Sequence, residues 1–252
     1  MCNDPVLIDC TDGIATITLN RSDKGNAISA DMMGALEERI AEVQENGDIR
    51  VVIVAANGRI FSAGHDLEEM LANEDHAWQK AHFDRCSRLM LSIRACPKPF
   101  IARVQGAAVA AGCQLVATCD LAYAVRTAKF GINGINLGLF CSTPSVALSR
   151  AIQPKQALEL ALTGRLIAAP RAAEIGLINA AVAVEDLDQT VMDVARAIAE
   201  KLPNAIALGK ALFYRQAELD IDAAYQDAAD VMADNMEMAS TREKIAAFVH
   251  KV

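Results

Sequence analysis

Near the amino end of the chain, apolar and polar residues alternate. Ala15, Ile17 and Leu19 alternate with Thr16 and Thr18, and a Thr11-Asp12-Gly13 turn joins them to Val6–Asp9, so the pattern predicts a hairpin with one buried face. A polar loop, Asn20 to Ala27, follows. The spacing then changes to three and four residues at Met33, Leu36, Ile40 and Val43, which predicts a helix capped by Ser29 and stopped at Asn46-Gly47. Val51–Ala55 and Phe100–Val104 are short continuous apolar runs, the signature of strands covered on both faces. Between them lie the stretch FSAGHDL (Phe61–Leu67), a charged and irregular segment from Glu68 to Lys80 read as a mobile lid, and a helix from about Phe83 to Ile93. Strand, helix and strand in succession with short joins imply parallel crossovers.

The stretch around which the pattern turns is VQGAAVAAGCQLVATCD, Val104 to Asp120. It begins as a strand, passes through a run of Gly and Ala, and enters a helix with Gln114 on its first turn. Small residues at such a junction let the backbone approach a ligand, and the first amides of the helix have no intrahelical acceptor, so they can hold an oxyanion. FSAGHDL repeats the plan, so two such turns facing each other would supply two converging amides.

Leu121–Ala124 and Lys129–Gly131 read as short strands, and Thr143-Pro144 reads as the cap and first turn of another helix, with Cys141 and Ser142 just ahead of it. Beyond Pro154 strand signals nearly vanish. Helices are expected at roughly 155–162, 170–175, 186–201, 205–219 and 222–238, with a final short one whose Ser240 and Glu243 have capping-box spacing. The simplest organisation is an α/β core, residues 1–195, followed by a helical region, 196–252.

Composition narrows the partners. At 252 residues and 53% hydrophobic content the chain can bury a large core and still leave apolar surface for oligomerisation to cover. A net charge of -8 argues against nucleic acid or an anionic membrane as the main partner. Seven scattered cysteines, Cys2, Cys10, Cys86, Cys96, Cys113, Cys119 and Cys141, form no CxxC pair, which points to a reducing, cytoplasmic setting without zinc or disulfides. Cys113 and Cys119 read as small core filler, and His76, His82 and His250 as solvated surface residues.

Taken together, FSAGHDL, GAAVAAGCQL with CDLAYA, FGIN with INLGL, and TGRLIAAPRAAEIGLI resemble the crotonase (enoyl-CoA hydratase/isomerase) superfamily over nearly the whole chain. GINLGLFCSTPSVALSR narrows the resemblance to one branch of it. The resemblance implies a spiral of ββα units with a C-terminal helical trimerisation region, assembled as a homotrimer or a hexamer of two trimers. It also implies an acyl-CoA or enoyl-CoA substrate whose thioester enolate is stabilised by the backbone amides of His65 and Ala111, with no cofactor beyond the CoA moiety and no metal. CoA contacts are implied at Arg21, Lys24, Ala63, Asp66 and Leu67, and at Phe248 and Lys251 from a neighbouring subunit.

Family hydratases use two glutamates as acid and base, and this chain has Gln114 and Gly134 at those positions. A Gln amide can orient water but cannot exchange a proton near neutral pH, and Gly has no side chain. Cys141 lies where other branches place a polar catalytic group, and a helix N-terminus tends to lower a thiol pKa. The reaction is therefore open between hydration or isomerisation, decarboxylation, thioester cleavage, and binding of acyl-CoA without turnover.

Overall fold

A computed structural model describes residues 4–250. The expected hairpin forms from β1 (Val6–Thr11) and β2 (Ile14–Leu19), which pair antiparallel from Val6 opposite Leu19 to Thr11 opposite Ile14. β2 then pairs in parallel with β3 (Val51–Ala56), whose six residues are all buried, as the unbroken apolar run requires. β5 (Phe100–Val104) and β7 (Leu121–Val125) continue the parallel sheet.

A second sheet lies beside the first. It is built from β4 (Ile60–Ser62), β6 (Ala107–Val109), β8 (Lys129–Gly131) and β9 (Ile167–Ala168), in that order. After the hairpin, the pairs β3 and β4, β5 and β6, and β7 and β8 each give one strand to each sheet before the chain enters a helix, which makes the architecture a mixed α/β spiral of ββα units. Among the described residues the larger sheet has the order β1-β2-β3-β5-β7-β10, with β10 at Ala180–Val182.

Three strands depart from the sequence reading. β6 lies inside the Gly/Ala run, and β9 and β10 lie in the region expected to be helical. Alanine is a poor strand former, so β6 and β10 owe their conformation to the neighbours they pair with, β4 and β8 for the first and β7 for the second.

The helices are α1 (Ala30–Glu45), α2 (Leu67–Leu71), α3 (His76–Ala95), α4 (Ala111–Thr118), α5 (Ser142–Ala151), α6 (Pro154–Thr163), α7 (Ala169–Glu174), α8 (Leu187–Ala199), α9 (Pro203–Gln216), α10 (Ile221–Glu237) and α11 (Ala239–Val249). Ser29 caps α1 as expected, its side chain accepting from the Met32 amide. The segment read as a mobile lid holds α2 and the start of α3. Asp66 caps α2 through the Glu68 and Glu69 amides, and Asp75 caps α3 at the Trp78 amide, so α3 starts seven residues earlier than its apolar spacing suggested.

Two other caps also differ. α5 begins at Ser142 with Cys141 as its N-cap, one step ahead of the Thr143-Pro144 signal. Ser240 lies inside α11, whose N-cap is Met238 without a side-chain bond, so the expected capping box does not form. α8 packs on β3, β5 and β7, while α9, α10 and α11 follow one another in contact.

A buried ion pair ties α9 to the core. Lys210 Nζ donates to the Ile93 and Lys98 carbonyls and to Asp120 Oδ2 at 2.8 Å, while Tyr214 Oη donates to Asp120 Oδ1 at 2.7 Å. The other oxygen-bound donor is the Phe100 amide, so both carboxylate oxygens are saturated.

Candidate active site

The two small-residue turns leave the same end of the second sheet. β4 and β6 are parallel neighbours, with Ile60 opposite Ala107 and Ser62 opposite Ala108. Adjacent strands lie ~4.8 Å apart, so the segments that follow them emerge side by side. The contact is tight. A Cβ on Gly64 would stand 2.8 Å from the Ala110 Cβ and 3.2 Å from the Ala111 nitrogen, and one on Gly112 would stand 2.5 Å from the Ser62 carbonyl oxygen.

Ala110 has φ 48° and ψ -120°, a conformation that favours glycine, so the turn holds backbone strain beside the free end of α4. Among the described residues the amides of His65 and Ala111 donate to no carbonyl or side chain. The structure thus brings into contact the two turns that carry these amides, with Gly64 as the residue that lets them touch.

Gln114 sits in the first turn of α4 and is buried. Its amide donates to the Ala110 carbonyl, and its Oε1 is buried without a partner. It lines a cleft of about 990 Å³ between α3, α4, α5 and α9, together with Met90, Arg94, Thr143, Phe213 and Tyr214.

Gly134 is the second residue of a short 3-10 turn, Asn133–Leu137, and its amide donates to Cys141 Sγ at 3.3 Å. Burial pushes the Cys141 thiol up from its ordinary value, outweighing the Gly134 hydrogen bond. The expected lowering at a helix N-terminus is therefore reversed, because Cys141 is 8% exposed and packs as part of the core.

Of the residues of the implied CoA site, those on the loop after the hairpin and those at the start of α2 are held against each other. The Ala63 amide donates to the Gly25 carbonyl, and Lys24 Nζ donates to Glu68 Oε2 at 2.9 Å, which holds the loop after the hairpin against the start of α2. Arg21 Nη1 donates to Ser29 Oγ at 2.6 Å, Asp66 is occupied as a cap, and Leu67 is exposed. Phe248 is exposed on α11, away from any contact that defines a role for it, and Lys251 lies outside the described residues.

One group escaped the sequence reading. His82 was expected on the surface and is buried, its Nε2 3.1 Å from His65 Nδ1 and its ring stacked on Trp78 at 4.9 Å. The signal was present in the chain: His82, Cys86, Leu89, Met90 and Ile93 share the buried face of α3. His76 and His250 are exposed, as expected.

A two-sheet ββα spiral carrying a pair of free turn amides at adjacent strand-to-helix junctions defines a class of α/β protein. The family model described as enoyl-CoA hydratase/isomerase matches residues 9–252, so the chain belongs to that family. Among its relatives, the enoyl-CoA hydratase domain-containing protein 3, mitochondrial, of Rattus norvegicus is 42% identical over 240 residues, covering 95% of this chain and 80% of that protein. A crystal structure of an enoyl-CoA hydratase from Mycobacterium smegmatis has a TM-score of 0.97 at 47% identity, covering 99% of this chain and 97% of that one. The crystal structure of the human enoyl-CoA hydratase domain-containing protein 3 has a TM-score of 0.95 at 40% identity, with 98% of each chain covered.

Proposed function

We propose that the protein binds an acyl-CoA thioester and stabilises its enolate with the amides of His65 and Ala111. The observation that carries this reading is the pair of unpartnered amides on turns held in contact at Gly64 and Ala110. Such donors, fixed before the reaction and aimed at developing charge, are worth ~10²–10³ in rate for each one removed. Arg21, Lys24, Ala63, Asp66 and Leu67 form the CoA side of the site. Phe248 and Lys251 reach the CoA of a neighbouring copy in a trimer or a hexamer. The exposed Tyr225, Met232, Ile245 and Phe248 on α10 and α11 support that assembly. The reaction calls for no cofactor beyond the CoA moiety.

The two-glutamate hydration route is not available to Gln114 and Gly134. Gln114 orients water or the acyl group from the buried wall of the cleft, and Cys141 fills the space beside Gly134. The reaction is therefore one that needs the enolate more than a pair of carboxylates: isomerisation, decarboxylation or thioester cleavage. The free thiols of Cys10, Cys86, Cys96, Cys113, Cys119 and Cys141 fit a reducing setting, which we take to be the cytoplasm. Among the described residues no helix is long and apolar enough to cross a membrane.

The test is a panel of saturated, enoyl and malonyl-type CoA thioesters, scored by calorimetry for binding and by mass spectrometry for product. Binding with product from a non-hydration reaction supports the reading. Binding without product leaves an acyl-CoA-binding module, and no binding contradicts the reading.

A further inference from the structure

We propose that His65 and His82 form a proton relay that takes up and returns the Cα proton of the bound thioester, with His65 as the catalytic base and His82 as the positioning residue behind it. This deepens the enolate reading and rests on it. The imidazole and the amide of His65 belong to one residue, so the ring lies within one side-chain length of any oxygen held by that amide.

The hydrogen bonds select the tautomer. His65 Nδ1 is 3.1 Å from His82 Nε2 and 3.4 Å from the Ile28 carbonyl oxygen. A carbonyl can only accept, so Nδ1 carries the proton and shares it between the two. The lone pair then sits on His65 Nε2, which is buried and has no partner. An imidazole lone pair sealed from water beside an oxyanion-binding amide is a proton acceptor waiting for a donor.

His65 alone is a weak base, since burial and the neighbouring His82 bring it down to about 4. His82 is better placed to hold the charge. Burial also lowers it and Arg85 opposes a cation, but Glu69 favours one and the stacked Trp78 face supports it.

The transfer balances in three moves. The Cα–H bond breaks and its electron pair forms the enolate, whose oxygen charge is held by the two amides. The proton goes to His65 Nε2 as the Nδ1 proton passes to His82 Nε2. His82 then yields a proton from Nδ1 to solvent, and the reverse sequence returns a solvent proton to Cα. No oxidant, metal or carboxylate is required, so the relay supplies what Gln114 and Gly134 cannot.

The probe is butyryl-CoA in deuterium oxide, followed by mass spectrometry for α-deuteration and by calorimetry for binding. Wild-type protein is expected to exchange the α protons, with the acid limb of the rate profile below the ordinary histidine range. His65→Asn keeps the amide and a hydrogen-bonding group at the Nδ1 position but removes Nε2, and is expected to lose exchange at least ~100-fold with binding within about 3-fold. His82→Gln keeps a donor and acceptor at the Nε2 position but cannot take charge. It is expected to lose ~10-fold and to move the acid limb to higher pH, because the neighbouring His82 is one of the causes that hold His65 down, a shift that a packing role would not produce. Nitrogen-15 imidazole spectra of the wild type, which need no variant to fold, are expected to show His65 protonated on Nδ1 and bare on Nε2. Binding without exchange, equal exchange in His65→Asn, or a proton on His65 Nε2 overturns the relay and leaves the enolate reading standing. Failure of the wild type to bind butyryl-CoA overturns both.

Discussion

Gly134 and Cys141 occupy space that a second catalytic carboxylate would need. A Cβ on Gly134 would stand 2.6 Å from the Leu139 carbonyl oxygen and 2.8 Å from Cys141 Sγ, and the Gly134 carbonyl already accepts from the Leu139 amide. The turn is closed by its own hydrogen bond and by the sulfur atom, so a side chain at position 134 does not fit it as it stands.

Restoring the family's carboxylates is therefore expected to fail. Gln114→Glu combined with Gly134→Glu gains no crotonyl-CoA hydration over Gln114→Glu alone, followed as loss of the conjugated enoyl absorbance. Gly134→Ala already costs about 1–3 kcal/mol by overpacking, measurable by urea denaturation. Efficient hydration by the double variant at unchanged stability would show that the turn opens freely.

Acid sensitivity should arise at His65. Its folded pKa of about 4 lies below the 6.5 of the unfolded chain, so between these values the unfolded state binds more protons. Stability is then full above pH 6.5 and falls as the pH drops toward 4, by about 3 kcal/mol if the whole shift is expressed. His82, also lowered, acts in the same direction. Denaturation midpoints from pH 7 to 4 are expected to decline steeply in the wild type and more gently in His65→Gln. Parallel declines would remove His65 as the source.

The Lys210–Asp120 pair is expected to set how firmly the C-terminal helices are docked. Asp120→Ala leaves the Lys210 ammonium, the Tyr214 hydroxyl and the Phe100 amide without the oxygens that now satisfy them. A broken buried pair costs about 3–5 kcal/mol. Hydrogen exchange should show α9 opening more readily in this variant while β2 and β3 keep their protection. Equal protection of α9 would mean that apolar contacts alone hold the helix.

Much of the frame was legible because period and burial agree. The alternation of β1 and β2, the unbroken run of β3 and the three-to-four spacing of α1 each predict the element found, and the Gly/Ala junctions mark where Gly64 and Ala111 bring two turns together. What stayed hidden depends on partners distant in sequence. Ala107–Val109 and Ala180–Val182 become strands only because other strands lie beside them. The Cys141 thiol is pushed up because burial outweighs its hydrogen bond from Gly134, and burial cannot be read from its neighbours in the chain. His82 looked like a surface residue, while its ring stacks on Trp78 one helical turn earlier in α3 and meets His65 from a segment that only the fold brings near.

The most direct test of the amide pair is the carbonyl carbon of a bound thioester. With [1-¹³C]butyryl-CoA, two amides polarising the oxygen are expected to move the carbonyl resonance downfield of its position in free solution. Ala111→Pro removes one of those amides, and is expected to lose much of the shift. A bound thioester whose carbonyl resonates as in water, or a shift identical in Ala111→Pro, would contradict the assignment of His65 and Ala111 as the oxyanion donors.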